Sequence, residues 1–397
     1  MTTRRTTTTT RAGRGARATR AGRSTTTRAT GAVAALALVA SACGSDGIDE
    51  AASDVVDSVE DVTGTVDPDV ADSVDDVVSD VVETVDSALD GAGVSSDDDA
   101  ASGTTRIGIV APSASNDLAF TQSIVDSVDR LDTDVDVQIT DGTFVVEDAA
   151  AAIRGYAEDG VDLVIAHGSQ YGAPLQEIAP DFPDTSFAWG TSVDTFGLDN
   201  VFAYTTRADE GGYVNGVMAA QLTESDTIGV VGPIEVGDAK LYVDGFEAGV
   251  AAQDPAVSVT VNYIESFSDV ALASEAANAL VESGADVLTG TAQMVVGATG
   301  VAQEAGIAWF GTQSDQTPLG PDIVVASQVY HWEVVLSEII DSLASGTVGG
   351  ETFTLSFENG GLEMEYNDDF DLPADVRTAA DEAVAGLVDG SITTGVS

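Results

Sequence analysis

The chain reads as an α/β protein made of two similar lobes, each a doubly wound parallel sheet. Three observations carry this. Short apolar runs such as Ile107, Ile109 and Val110 alternate with segments whose apolar residues recur three or four apart, such as Phe120, Ile124, Val128 and Leu131. Strands that alternate with helices need crossover connections, and so lie parallel. The alternation also runs twice, in two series of like length and order, and residues 105–397 suffice for two domains at roughly 100–200 residues each.

In the first series the spacing predicts strands at 106–110, 135–140, 163–166, 186–190 and 201–204. Helices fall between them at 119–131, 146–158 and 173–179. The second series begins near Gly211, with helices at 211–221, 240–252, 271–283 and 294–305. Its strands are 227–231, 258–263, 287–290, 308–311 and 323–327. A helix at 332–345, strands at 352–357 and 362–366, and a helix at 374–388 complete the chain. Trp309 and Phe310 lie within a strand and read as core.

The first loop matters most. A strand ending at Val110 runs into Pro112, Ser113, Asn116 and Asp117 before the helix of Phe120. Ligands of open α/β sheets sit beyond the carboxyl ends of the strands, so Asn116, Asp117 and Phe120 become candidate ligand contacts. Asp117 also suits a helix N-cap, and Phe120 also suits a core position. Tyr171, in Gly168-Ser169-Gln170-Tyr171-Gly172, occupies another strand-end loop.

Upstream, the first 30 residues hold eight Arg and no acid, and 31–42 are small and apolar. A basic stretch, a short apolar stretch and small residues make an export signal. The apolar run, about nine to twelve residues, is well short of the roughly 20 that span a bilayer. Cys43 follows Ala40-Ser41-Ala42 in a pattern resembling a bacterial lipobox, whose Cys becomes lipidated. Residues 1–42 are therefore expected to be a lipoprotein signal peptide. Residues 43–104, rich in Asp, Val, Ser and Ala, are expected to be an acidic flexible tether that reaches from a membrane-anchored Cys43 to the binding domain.

All 67 acids follow Cys43, against six basic residues: Arg106, Arg130, Arg154, Arg207, Lys240 and Arg377. Such a field repels nucleic acid and anionic lipid surfaces. It reads as solvation, and stability is expected to rise with salt as self-repulsion is screened. Catalysis finds little support. His167 and His331 fit neither a zinc nor a triad pattern, and no nucleophile elbow or phosphate-binding loop occurs. No cofactor is expected.

Several segments resemble the basic membrane protein family, lipoprotein substrate-binding components of ABC importers. Asn116-Asp117-Leu118-Ala119-Phe120-Thr121-Gln122 resembles its D-x-x-F-N-Q segment. Gly160 to Ile165 resembles its G-x-D-L-I strand. Glu210 to Gly216 resembles E-G-A-Y-L-A-G, Asp244 to Val250 resembles G-F-x-A-G-V, and Gly284 to Val287 resembles G-A-D-V.

The resemblance implies a type I periplasmic-binding fold with a three-segment hinge. Lobe 1 would be about 105–206 plus 328–348, and lobe 2 about 207–327 plus 349–397. It implies a purine nucleoside or nucleobase as the small-molecule ligand, and separate ABC permease and ATPase subunits as partners. A ligand-sensing or surface adhesion lipoprotein is the alternative on the same fold. Carried over, Phe120 stacks on a ring, Phe267 is the second stacking group and Asp117 accepts hydrogen bonds. Gly311 to Gln316 resembles the family's G-x-D-x-D-Q hinge loop, which brings in Gln313 and Asp315. Gln313 stands where nucleoside binders carry a sugar-binding Asp. The expected Lys is replaced by the run from Gln328 to Trp332, which makes Trp332 a candidate and lets a free base fit at least as well as a nucleoside.

Overall fold

The structure is a computed structural model, and it describes residues 104–396. Cys43, the export signal and the tether lie outside the described residues. No helix among the described residues is long and apolar enough to cross a membrane.

Among the described residues, twelve strands and nine α-helices follow one another. Lobe 1 opens with β1 (Thr105–Val110), α1 (Phe120–Asp129), β2 (Val135–Thr140), α2 (Val146–Glu158), β3 (Leu163–His167), α3 (Gly172–Ile178), β4 (Ser186–Gly190) and β5 (Val201–Thr206). Lobe 2 follows with α4 (Ala208–Leu222), β6 (Thr227–Gly232), α5 (Gly237–Gln253), β7 (Ser258–Tyr263), α6 (Val270–Glu282), β8 (Val287–Gly290), α7 (Val295–Ala305), β9 (Ala308–Gln313) and β10 (Val324–Tyr330). The chain then crosses back into α8 (Glu333–Ala344) and β11 (Thr352–Leu355), and returns to β12 (Leu362–Tyr366) and α9 (Ala374–Val388).

Each lobe holds one six-stranded sheet, in the orders β11-β5-β4-β3-β1-β2 and β12-β10-β9-β8-β6-β7. Every pair is parallel except β10–β12. Helices cover the central strands, so β3 is buried at all five residues, as a parallel sheet requires. The edge strand β2 has no buried residue and mixes exposed with half-buried ones instead, because it is covered less fully than the central strands.

Two boundaries differ from those expected. The strand after Gly350 completes sheet 1, not lobe 2: Thr352 to Leu355 pair with Ala203 to Thr206 and cover that edge. The expected break between 327 and 328 falls inside β10, whose register with β9 and β12 keeps it whole in lobe 2. The hinge crossings are Arg207, His331–Trp332 and 356–361. They are laced together: Arg207 N donates to Leu355 O at 2.8 Å, and His331 N donates to Gly361 O at 2.9 Å.

Helices α4 and α5 cross unusually closely, and the Glu210–Gly216 and Asp244–Val250 segments supply the reason. A Cβ at Gly212 or Gly216 would overlap the carbonyl of Tyr242 or Phe246. One at Gly245 or Gly249 would overlap the backbone of Asp209 or Tyr213. Glycine here removes side-chain bulk so that two backbones can touch. Those resembling motifs are thus packing motifs of lobe 2.

Candidate functional site

The cleft between the lobes is lined by loops at the carboxyl ends of strands, where open α/β sheets hold ligands. Lobe 1 supplies Pro112, Phe120, Phe144, Ser169, Gln170 and Thr191. Lobe 2 supplies Asp238, Ala239, Phe267, Ala292, Gln293 and Gln313. The lobes touch across it. Thr191 Oγ1 donates to Asp238 Oδ1 at 3.4 Å, and Ser314 Oγ donates to the Ala119 carbonyl at 2.8 Å.

On the lobe 1 side, Phe120 rests face to face on His167, with ring centroids 4.1 Å apart and planes within 10°. Behind them Trp332 presents its edge to Phe120, His167, Tyr204 and Tyr330. Trp332 is held by hydrogen bonds from its Nε1 to Ser123 Oγ at 2.8 Å and from its backbone N to Ser127 Oγ at 2.9 Å. This is why α1 buries Ser123 and Ser127 beside Ile124. His167 is fully buried, and desolvation lowers its pKa to about 3, so its ring is neutral. Its Nε2 lies 3.4 Å from the Phe120 carbonyl, which can only accept, so Nε2 carries the proton. Nδ1 then accepts from the Tyr204 hydroxyl at 2.7 Å.

The lobe 2 side is less complete. Asp238 sits in the first turn of α5 and is 8% exposed. Burial raises its pKa to about 6, offset in part by nearby backbone N–H groups, Thr191 and Gln313. Among the described residues, its Oδ2 has no hydrogen-bond partner, and neither do Gln293 Oε1 and Gln313 Oε1, all three oxygens being buried. A buried acceptor without a donor costs about 1–3 kcal/mol. Gln313 and Ala292 also hold φ of 77° and 75° in the left-handed region, which costs a non-glycine residue about 1–3 kcal/mol and tends to gather at ligand sites. Among the described residues, no cationic side chain lines the cleft.

Of the eight residues expected to contact a ligand, three line this cleft: Phe120, Phe267 and Gln313. The other five do not. Asn116 is exposed on its loop. Asp117 is committed locally, because its carboxylate accepts from Ser113 Oγ and from the backbone N–H groups of Ala119, Thr121 and Gln122. It thereby caps the start of α1. Tyr171 is fully buried in lobe 1 and bonds both the hydroxyl and the carbonyl of Thr143 at 2.9 Å. Asp315 closes a turn by accepting from Thr317 N at 2.9 Å. Trp332 is fully buried behind Phe120. Phe144, Thr191, Asp238 and Gln293 went unnoticed in the sequence, although each follows a strand, as Phe120 and Phe267 do.

Comparison with known proteins places this architecture. The family model for PnrA-like ABC transporter substrate-binding proteins matches residues 104–383. A purine-binding protein of Brucella abortus is 28% identical over 245 residues, covering 62% of this chain and 69% of that one. A putative ABC transporter glucose-binding protein of Haloferax volcanii is 26% identical over 213 residues, covering 54% of each chain. Among solved structures, a solute-binding protein of an ABC transporter system from Conexibacter woesei superposes with a TM-score of 0.61 at 25% identity, covering 73% of this chain and 98% of that one. The chain belongs to the PnrA-like family of ABC transporter substrate-binding proteins, a family of solute binders rather than enzymes.

Proposed function

We propose that this protein is the lipid-anchored, extracytoplasmic receptor of an ABC importer, and that it captures a purine nucleoside or nucleobase between its lobes. The observation that carries the ligand class is the set of three phenylalanines on the cleft wall, Phe120 and Phe144 from one lobe and Phe267 from the other. Aromatic faces suit a flat heterocycle, whose stacking adds to plain area burial. The purine-binding relative in Brucella abortus supports the same class. The hinge at Arg207, His331–Trp332 and 356–361 lets the lobes part to admit the ligand and close on it. The closed form is then the shape that the membrane permease recognises, with a separate ATPase subunit driving transport. Cys43 is the proposed point of lipid attachment.

A thermal-shift series on the full chain in high salt tests this, using nucleosides, free bases, sugars and amino acids. A ligand that binds only the folded state raises the melting temperature by mass action. A rise with nucleosides or purine bases is expected. A rise with sugars alone would replace the purine assignment.

A further inference from the structure

We infer that the lobe 2 wall reads hydrogen-bond donors, with Asp238 as its deciding residue and Gln293 and Gln313 as partners, and that it selects a ligand without negative charge. This rests on the binding reading above and deepens it. Asp238, Gln293 and Gln313 all line the cleft, and each holds a buried side-chain oxygen that receives no hydrogen bond. Gln313 is 2% exposed and Asp238 is 8% exposed, so water does not readily serve those oxygens. Three acceptors without donors are matched by N–H or O–H groups of a ligand. Among the described residues, no Lys or Arg lines the cleft to neutralise a phosphate or carboxylate. An anion there would meet the Asp238 carboxylate with no countercharge.

Two ligand features present the required donors: the N–H edge of a purine such as guanine, and the vicinal hydroxyls of a sugar. Both are donor-rich and uncharged.

Only the ionised form of Asp238 is a pure acceptor. Its raised pKa of about 6 therefore makes binding weaken as pH falls below that value. The facing groups are Thr191, Gln313 and the Tyr330 hydroxyl, whose burial raises its pKa well above its ordinary value and keeps it neutral.

The test is calorimetric titration of the full chain with guanine, guanosine, glucose and guanosine monophosphate, for the native protein, Asp238→Asn and Gln293→Ala. The native protein is expected to bind at least one of the three neutral ligands and not the monophosphate. Asp238→Asn is expected to weaken that binding by about 10- to 100-fold and to abolish its decline below pH 6. Binding of guanine would assign the donors to the base edge, and binding of glucose would assign them to hydroxyls. If Asp238→Asn does not melt cooperatively, Gln293→Ala carries the test, because Gln293 is only half-buried. Unchanged affinity in the folded variants, or a monophosphate bound as tightly as guanosine, overturns the inference and leaves the binding reading intact. Silence of the native protein toward all four ligands, and toward the wider thermal-shift series, removes the binding reading and the inference with it.

Discussion

In lobe 1, the residues behind Phe120 satisfy one another: His167 bonds Tyr204, and Trp332 bonds Ser123. In lobe 2, Asp238, Gln293 and Gln313 reach the cleft with oxygens that have no donor. One wall is finished without a ligand and the other is not. A finished wall offers shape, here a rigid aromatic platform. An unfinished wall offers selectivity, because the missing donors must come from whatever is bound. The polar groups that discriminate among flat ligands should therefore lie in lobe 2, and the groups that hold the aromatic wall rigid in lobe 1.

The largest effect should come from breaking the finished wall. Trp332→Ala removes a fully buried indole with four aromatic neighbours. It should lower unfolding stability by about 3–5 kcal/mol in a urea titration. A loss under about 1 kcal/mol would mean that this wall is not the structural one.

Next comes acid. With its folded pKa lowered to about 3 from 6.5, His167 contributes stability that is fully present above pH 6.5 and is lost as pH falls through about 3. That amounts to at most about 5 kcal/mol. His167→Phe should flatten the acid limb of a stability–pH curve over this window, when compared with the native protein.

The opposite sign is expected across the cleft. Asp238 has its pKa raised to about 6 from 3.8, so its contribution is present below pH 3.8 and lost as pH rises through about 6. Without ligand, Asp238→Asn should stabilise the protein by about 1–3 kcal/mol at pH 7.5 and have little effect at pH 3.5. A variant that weakens binding and strengthens the fold would sharpen the contrast between walls. A destabilised Asp238→Asn at pH 7.5 would erase it.

The smallest effect belongs to the outside of the hinge. The Arg130 guanidinium forks onto Glu333 at 2.7 and 2.9 Å, with its side chain 37% exposed. Arg130→Ala should cost no more than about 1 kcal/mol. Chemical denaturation in low and in molar salt would check both that figure and its screening.

Most of the fold was legible because apolar periodicity is a local property. The short apolar runs of β3 and β9 and the three-to-four spacing of α6 carry that signal, whereas the cap of α6 by Asp269, whose side chain accepts from Leu272 N, emerged only in the structure. Partner choice was not legible. The run of 352–355 has the same local preference whichever sheet it joins, and only the open edge at β5 settled its place. Site residues divided in the same way. Phe120 and Phe267 could be picked as aromatic groups in strand-end loops. Asp117 and Asp315 look alike as candidates, yet both are spent on nearby backbone N–H groups.

By itself the sequence determined the two-lobed α/β plan and the acidic composition of the chain after Cys43. Both follow from residue type and near-neighbour spacing, whereas the contact of α4 with α5 at their glycines came with the tertiary structure. Only the tertiary structure decided that Trp332 and Tyr171 turn into the interior and that Asp238, Gln293 and Gln313 are left wanting donors. Whether a buried oxygen has a partner depends on groups that distant strands bring beside it, such as Thr191 on lobe 1 facing Asp238 on lobe 2, and no local spacing encodes that meeting.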